Sequence, residues 1–200
     1  MKEFSGYKEA KVVKGGGVFD PLPKGAYVLK ILNVSEKANK NGGSRFVIAF
    51  DIAEGEYTDF YKKQYQERKK QDEDAKYPND GVFRLNIPED NSEEWLKNNF
   101  KTFTAALEES NKGYHWDWDE KKWKNKLFGG LFHIEQDEYN GKIYDHTRLK
   151  WVRPAGEIRD NKYGNLPKDK LLDAASVKAD TNMDDFINVP EGSADEIPFE

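Results

Sequence analysis

The sequence contains no cysteine, which excludes a disulfide framework and any metal site that requires thiolate ligands. Its three histidines are far apart in the chain and match no metal-ligand spacing. No apolar run approaches the ~18 residues that a membrane-spanning helix needs, and the first residues lack the apolar core of a signal peptide. We therefore expect a cytoplasmic protein without a membrane partner.

Signatures of an enzyme are equally scarce. The glycines at 15–17 lack the spacing and the Lys-Ser/Thr ending of a phosphate-binding loop, and no nucleophile elbow is present. We therefore expect no catalytic activity, no cofactor and no bound metal. Acidic residues are abundant, so a two-metal nuclease, or an inactive relative of one, stays an alternative.

The negative charge is concentrated at the C-terminal end. The whole sequence has a net charge of −5, but residues 171–200 hold eight acids and one base. Residues 1–170 hold 31 bases and 29 acids, a net of +2. Such asymmetry is typical of an acidic interaction tail on a folded body. We expect residues 171–200 to be disordered.

Aromatic residues make up 14% of the sequence, more than disordered chains usually contain, so most of the chain is expected to fold or to use its rings for binding. Five segments have the apolar, β-branched or alternating composition of strands, and most are followed by turn residues. The predicted strands are 25–34, 45–53, 82–87, 126–135 and 143–152.

The clearest helix is predicted over 92–109, with Ser92 as its N-cap. Residues 57–71 interleave rings with bases, and their pattern does not decide between a helix and a strand. The apolar face predicted for the helix over 92–109 consists of Trp95, Leu96, Phe100, Phe103 and Leu107.

The order of these elements favours a mainly β protein with an OB-fold, a five-stranded Greek-key barrel with one main helix before its last two strands. An open α+β sandwich is the alternative. We expect a flexible N-terminal arm over 1–24, the OB-fold domain over 25–155, an irregular extension over 156–170 and the disordered acidic tail over 171–200.

Several segments have the composition of a single-strand binding surface. A protein that holds single strands without reading their sequence needs cations for phosphates and flat rings on which bases stack. The small charge of the body suits single strands better than duplex, and no helix-turn-helix or zinc-finger pattern is present. The candidate DNA-binding residues are Tyr61, Lys62, Lys63, Tyr65, Arg68, Trp116, Lys122, Trp123, Tyr144, Arg148 and Lys150.

Each of these segments also has a purely structural interpretation. Tyr61 and Tyr65 fit a tyrosine stripe that packs into the core while the lysines lie in solvent. Trp116 and Trp118 fit the core as well. The polar face of the last strand would then be an ordinary solvated face.

Strand alternation predicts which side chains of the last strand share a face. It places Tyr144, Arg148 and Lys150 on a polar face, together with His146. The opposite face, with Ile143, Leu149 and Trp151, is predicted to join the core. Phe128 and Phe132 of the preceding strand are also predicted core residues.

The chain closes on an apolar tip that follows the acidic residues. A solubilising tail gains nothing from such a tip, whereas a docking peptide does. A ring fills a pocket, proline restricts the backbone and carboxylates meet basic residues. The predicted partner-docking residues are Asp195, Glu196, Ile197, Pro198 and Phe199.

This tip resembles the acidic Ile/Leu-Pro-Phe end of bacterial single-stranded-DNA-binding proteins, which recruits replication and repair enzymes. The body, over about 25–155, resembles phage-encoded single-stranded-DNA-binding proteins. The matching stretches are Tyr61-Lys62-Lys63-Gln64-Tyr65, the helix end at 105–111, the segment 114–119 and the strand up to Glu135. The bacterial tip usually ends on Phe, and partner proteins recognise the terminal carboxylate of that residue. Here Glu200 follows Phe199, so the sequence departs from that pattern.

The resemblance implies an OB-fold, no catalysis and a role in phage DNA replication, recombination or repair, hence in the host cytoplasm. We expect largely sequence-independent binding of single-stranded DNA, with the tip recruiting partner proteins. The alternative is a phage adaptor that uses the tip to bind host proteins without affinity for DNA. The sequence leaves homo-oligomer formation open.

Overall fold

The computed structural model describes residues 20–39 and 42–172, and the predicted arm and tail lie largely outside this part of the chain. It is mainly β, with a five-stranded antiparallel sheet in the order β3-β2-β1-β4-β5. This confirms a mainly β body with five strands. The strands are β1 (Ala26–Ala38), β2 (Ser44–Ile52), β3 (Val82–Ile87), β4 (Leu127–Tyr139) and β5 (Lys142–Arg153).

Strand β1 is the central strand and joins two halves of the sheet. Its first half, Ala26 to Lys30, pairs with β4, and its second half, from Leu29 onward, pairs with β2. The pairing with β2 shifts register between Ile31 and Asn33, so Leu32 is an extra residue. Such a bulge bends a strand and increases its twist, which lets one strand serve both halves.

Helix α1 (Phe60–Gln71) follows β2, so the segment 57–71, which the sequence left undecided, is helical from Phe60 onward. The buried carboxylate of Asp51, at the end of β2, holds the first turn of this helix. It accepts hydrogen bonds from the backbone amides of Tyr61 (3.0 Å) and Lys62 (2.8 Å), and from its neighbour Ile52 (2.8 Å). The amides of Tyr61 and Lys62 would otherwise lack a partner at the helix N-terminus.

Helix α2 (Glu94–Ser110) confirms the predicted helix but not its cap. Ser92 accepts a hydrogen bond from the Glu89 amide in the preceding turn, and Glu93 occupies the N-cap position without a side-chain bond. Phe100, Phe103 and Leu107 are buried as predicted. Trp95, however, is exposed, so the apolar face of the helix is narrower than the sequence indicates.

The main core lies between the sheet and α2. Phe128 and Phe132 are fully buried, as predicted, and pack edge-on against Phe50. Strand β5 departs from the prediction, because Ile143 and Trp151 are exposed. Its pairing with β4 steps from Leu149 to Trp151, which makes Lys150 an extra residue and breaks the alternation.

The residues directly after β5 contribute to the folded body. A short helix, α3 (Ala155–Arg159), buries Ala155 and Ile158 in a second, smaller core cluster. Further on, Lys170 pairs in parallel with Glu135 on β4. None of the helices in the described residues is long and apolar enough to cross a membrane.

Candidate nucleic-acid interface

Two predicted stacking residues, Tyr61 and Trp123, are core residues. Tyr61 is 2% exposed and Trp123 is fully buried. The Trp123 ring centroid lies 5.0 Å from that of Phe46 and 5.1 Å from that of Phe103. Rings enclosed in this way cannot stack on a base, so we correct both predictions.

The tryptophans that are exposed are not the ones the sequence singled out for binding. Trp116 packs against the core, with its ring centroid 4.9 Å from that of Trp123. The exposed fractions are 54% for Trp95, 79% for Trp118 and 42% for Trp151. Helical spacing and strand alternation placed Trp95 and Trp151 in the core, and no signal in the sequence indicates their exposure.

Two predicted phosphate-binding residues are held by carboxylates. Lys122 is paired with Asp117 and lies 3.8 Å from the Asp119 carboxylate. Arg148 contacts Asp80, Glu135 and Asp137, at 3.6, 3.2 and 2.5 Å. Although burial opposes it, these carboxylates raise the pKa of Arg148. A phosphate would have to displace them, so neither side chain is a ready phosphate ligand.

Tyr144 and Lys150 keep accessible positions at opposite ends of β5. Tyr144 is 44% exposed and lies opposite Asp137 in the pairing with β4. It is close to the hairpin turn, where Tyr139 is also exposed. Lys150 is exposed and has no acidic partner among residues 20–39 and 42–172.

The first predicted segment lies on α1 and borders a groove that the sequence did not indicate. This groove has a volume of about 780 Å³ and lies between the second half of β1, α1 and the loop after the 3₁₀ turn Glu120–Trp123. We call it the helix groove. Its lining includes Leu32, Asn33, Val34, Lys62, Tyr65, Lys124 and Asn125.

Charge and rings converge on the helix groove from separate segments of the chain. Lys62 comes from α1 and Lys124 from the loop, and neither has an acidic partner in the described part of the chain. Tyr65 also lines the groove and is half-buried, with its ring centroid 5.7 Å from that of Tyr77. Lys124 is not among the candidate DNA-binding residues predicted from the sequence.

The remaining bases of α1 do not line the groove. Lys63 donates to the Thr58 carbonyl, and the Lys69 ammonium lies 5.8 Å from the Tyr65 ring centroid. Arg68 is exposed and unpaired with any acid in the described residues. Of the first predicted segment, therefore, Lys62 and Tyr65 line the groove, Lys63 and Arg68 are exposed outside its lining, and Tyr61 is buried in the core.

The helix groove has a rigid frame. Burial raises the pKa of Asp51, while its three backbone donors act in the opposite direction. The Tyr77 hydroxyl donates to the Phe50 carbonyl over 2.8 Å, and burial raises its pKa. Both contacts tie the α1 side of the groove to β2, so Lys62 and Tyr65 are held against the sheet.

Among the described residues, no group of three or more histidine, aspartate or glutamate side chains could hold a metal ion. Comparison of the chain with models of known protein families and with curated protein sequences gives no match.

Proposed function

We propose that this protein binds single-stranded DNA without strong sequence preference and without catalysis, and that it acts in phage DNA replication, recombination or repair. The helix groove carries the proposal. It combines the ammonium groups of Lys62 and Lys124, neither of which has an acidic partner in the described part of the chain, with the Tyr65 ring, beside the basic surface of α1. Cations for phosphates and rings for bases are what sequence-independent single-strand binding requires.

The topology supports an OB-fold as the finer description of the body. In the sheet order β3-β2-β1-β4-β5, the strands β3 and β5 are the two edges, and α2 lies between β3 and β4 in the chain. A five-stranded, partly open Greek-key barrel has such a connectivity, and many OB-folds bind oligonucleotides.

The partner-docking part of the proposal rests on the sequence. Asp195, Glu196, Ile197, Pro198 and Phe199 lie outside the described residues. Their resemblance to the bacterial tip supports recruitment of replication and recombination proteins. Because Glu200 follows Phe199, we propose a contact that relies on the ring and the acidic side chains more than on a terminal carboxylate.

Titration with fluorescent oligo-dT tests DNA binding. The full chain should bind at low salt, its affinity should fall steeply as salt rises, and duplex should compete poorly. The double variant K62E/K124E should bind at least tenfold more weakly. The matched variant K101E/K112E, which makes the same charge change at exposed lysines outside the groove, should lose much less.

Two results would count against this function. If neither the full chain nor a form lacking residues 173–200 binds oligo-dT at low salt, the protein is not a single-strand binder. An adaptor that uses the tip would then be the better interpretation. If K101E/K112E weakens binding as much as K62E/K124E, the helix groove is not the site.

A further inference from the structure

A second groove lies where the two edge strands of the sheet approach each other. Strands β3 and β5 are not paired, and helix α2 forms the third side of the space between them. The volume is about 500 Å³. We call it the seam groove, and its lining includes Phe83, Trp95, Phe103, Lys150, Trp151 and Arg153.

Two exposed indoles border the seam groove, one from each side. Trp95 comes from the first turn of α2 and Trp151 from β5. Tryptophan is a highly buried residue on average, so two exposed rings on one groove are unusual for a surface without a ligand. Beneath them, Phe83 and Phe103 stack with their ring centroids 5.8 Å apart, which gives the groove an apolar floor.

The extra residue in β5 places a cation directly beside one of these rings. In a regular strand, neighbouring side chains point to opposite faces. Lys150, the extra residue of β5, and its neighbour Trp151 are both exposed and both line the seam groove. Because they are consecutive residues, their Cα atoms are about 3.8 Å apart, so an ammonium group and an indole border the groove side by side.

The charged groups at the seam groove are mostly positive. Lys150 has no acidic partner in the described residues. Arg153 lies 3.8 Å from the Glu157 carboxylate, a contact that solvent screens at this partly exposed position. The main acid beside the rings is Glu93, which accepts a hydrogen bond from the Trp95 indole. Amides of Asn86 and Asn99 add hydrogen-bonding groups to the lining.

We propose that the seam groove is a second site for single-stranded nucleic acid, in which bases stack on Trp95 and Trp151 while Lys150 and Arg153 meet the phosphates. This inference rests on the proposed function and extends it. The flat indoles favour unpaired bases over an acidic peptide, because each stacked base adds a large, sequence-tolerant contribution.

Tryptophan fluorescence during titration of the full chain with oligo-dT tests this inference. The exposed indoles should be quenched when bases stack on them. The variant W95A/W151A should lose most of this quenching and bind oligo-dT at least tenfold more weakly. The matched variant W118A, which removes an exposed indole outside both grooves, should bind like the wild type. Circular dichroism of each variant checks that the fold is intact.

The outcomes separate this inference from the proposed function. If W95A/W151A binds oligo-dT as the wild type does while K62E/K124E is weakened, the seam groove is not a site but the protein is still a single-strand binder. If polyglutamate, and not oligo-dT, quenches Trp95 and Trp151, the groove takes acidic peptides and the inference is wrong. If the wild type binds no oligo-dT, both fail.

Discussion

At the scale of single residues, the partition of the five tryptophans determines which surfaces can bind flat ligands. Trp116 and Trp123 stabilise the core through ring contacts with Phe100 and Phe103. The other three lie on the surface. Substitution of a core tryptophan by alanine is expected to destabilise the fold by about 3–5 kcal/mol. A loss of binding in such a variant would therefore not identify a binding residue. The exposed ones can be tested directly.

Trp118 is the only one of these tryptophans in the left-handed backbone region, with φ of 65°. This conformation costs a residue with a Cβ about 1–2 kcal/mol, and glycine is free of that cost. We therefore predict that W118G is more stable than W118A by about 1 kcal/mol. Urea denaturation of the two variants measures the difference, because both have lost the same ring contact with Phe100.

The reverse order is expected at His115, which is exposed and lies outside the left-handed region. There H115G should be less stable than H115A, since glycine has more conformational freedom to lose. If glycine were the worse residue at both positions, backbone strain at Trp118 would be refuted.

The sequence could not have predicted the exposure of Trp95 and Trp151. Periodicity gives the face of a helix or strand, but not how wide a strip of that face the neighbouring elements cover. For Trp151, the extra residue Lys150 changes which positions point inward. A bulge of this kind depends on the pairing with β4, so it leaves no local signal in β5.

At the scale of elements, the segment 168–172 is attached to β4 by a small set of polar contacts. The backbone amide of Gln136 donates to the Lys170 carbonyl, and the backbone amide of Lys170 donates to the Ile134 carbonyl, each over 2.9 Å. The Glu135 carboxylate pairs with the Lys170 ammonium and with Arg148. These cations lower the pKa of Glu135 below its usual 4.5, Lys170 being the main cause.

A carboxyl with a lowered pKa stabilises the folded state above its unfolded pKa, and this contribution is lost as pH falls through the folded pKa. At pH values under about 4.5, the free energy of unfolding should decrease as the pH is lowered. We therefore predict that this decrease is less steep in E135Q than in the wild type. Urea denaturation between acidic and neutral pH measures the slopes. E109Q, a change at an exposed carboxylate that has no basic partner among the described residues, should keep the wild-type slope. Parallel curves for E135Q and wild type would show that Glu135 is not coupled to folding.

The local sequence pattern was sufficient to predict most helices and strands, but it was insufficient to predict α1. Helix α2 buries Phe100, Phe103 and Leu107 at helical spacing, and β3 was predicted with its observed bounds because a proline follows it. In α1 only Tyr61 and Gln64 are buried, so its apolar periodicity is weak. Its first turn depends on Asp51, which lies 10 residues before Tyr61. That contact forms only after the chain has folded, so residues 57–71 could not be assigned from sequence alone.

At the scale of the whole molecule, the acidic tail opposes the charge of the body. Residues 173–200 contain all eight acids counted above and one base, so the chain without them has a net charge of +2. We predict that a form ending at Leu172 binds oligo-dT more tightly than the full chain at low salt. The difference should shrink as salt rises, because screening weakens charge repulsion beyond about 10 Å at 0.1 M salt.

Length and charge can be separated by a full-length variant in which the eight acids are replaced by Asn and Gln. If charge is the cause, this variant should bind like the shortened form. If it binds like the wild type, the tail acts by occupying space and the electrostatic explanation is wrong.

The buried carboxylate of Asp51 also sets the order in which the molecule can assemble during synthesis. An isolated helix of 12 residues is marginal in water, and α1 has little apolar surface to bury. Asp51 leaves the ribosome before the helix that it holds, so the anchor already exists when Phe60 emerges. The carboxylate becomes buried only when β2 has joined the sheet, so α1, and with it the helix groove, is expected to be among the later parts to form.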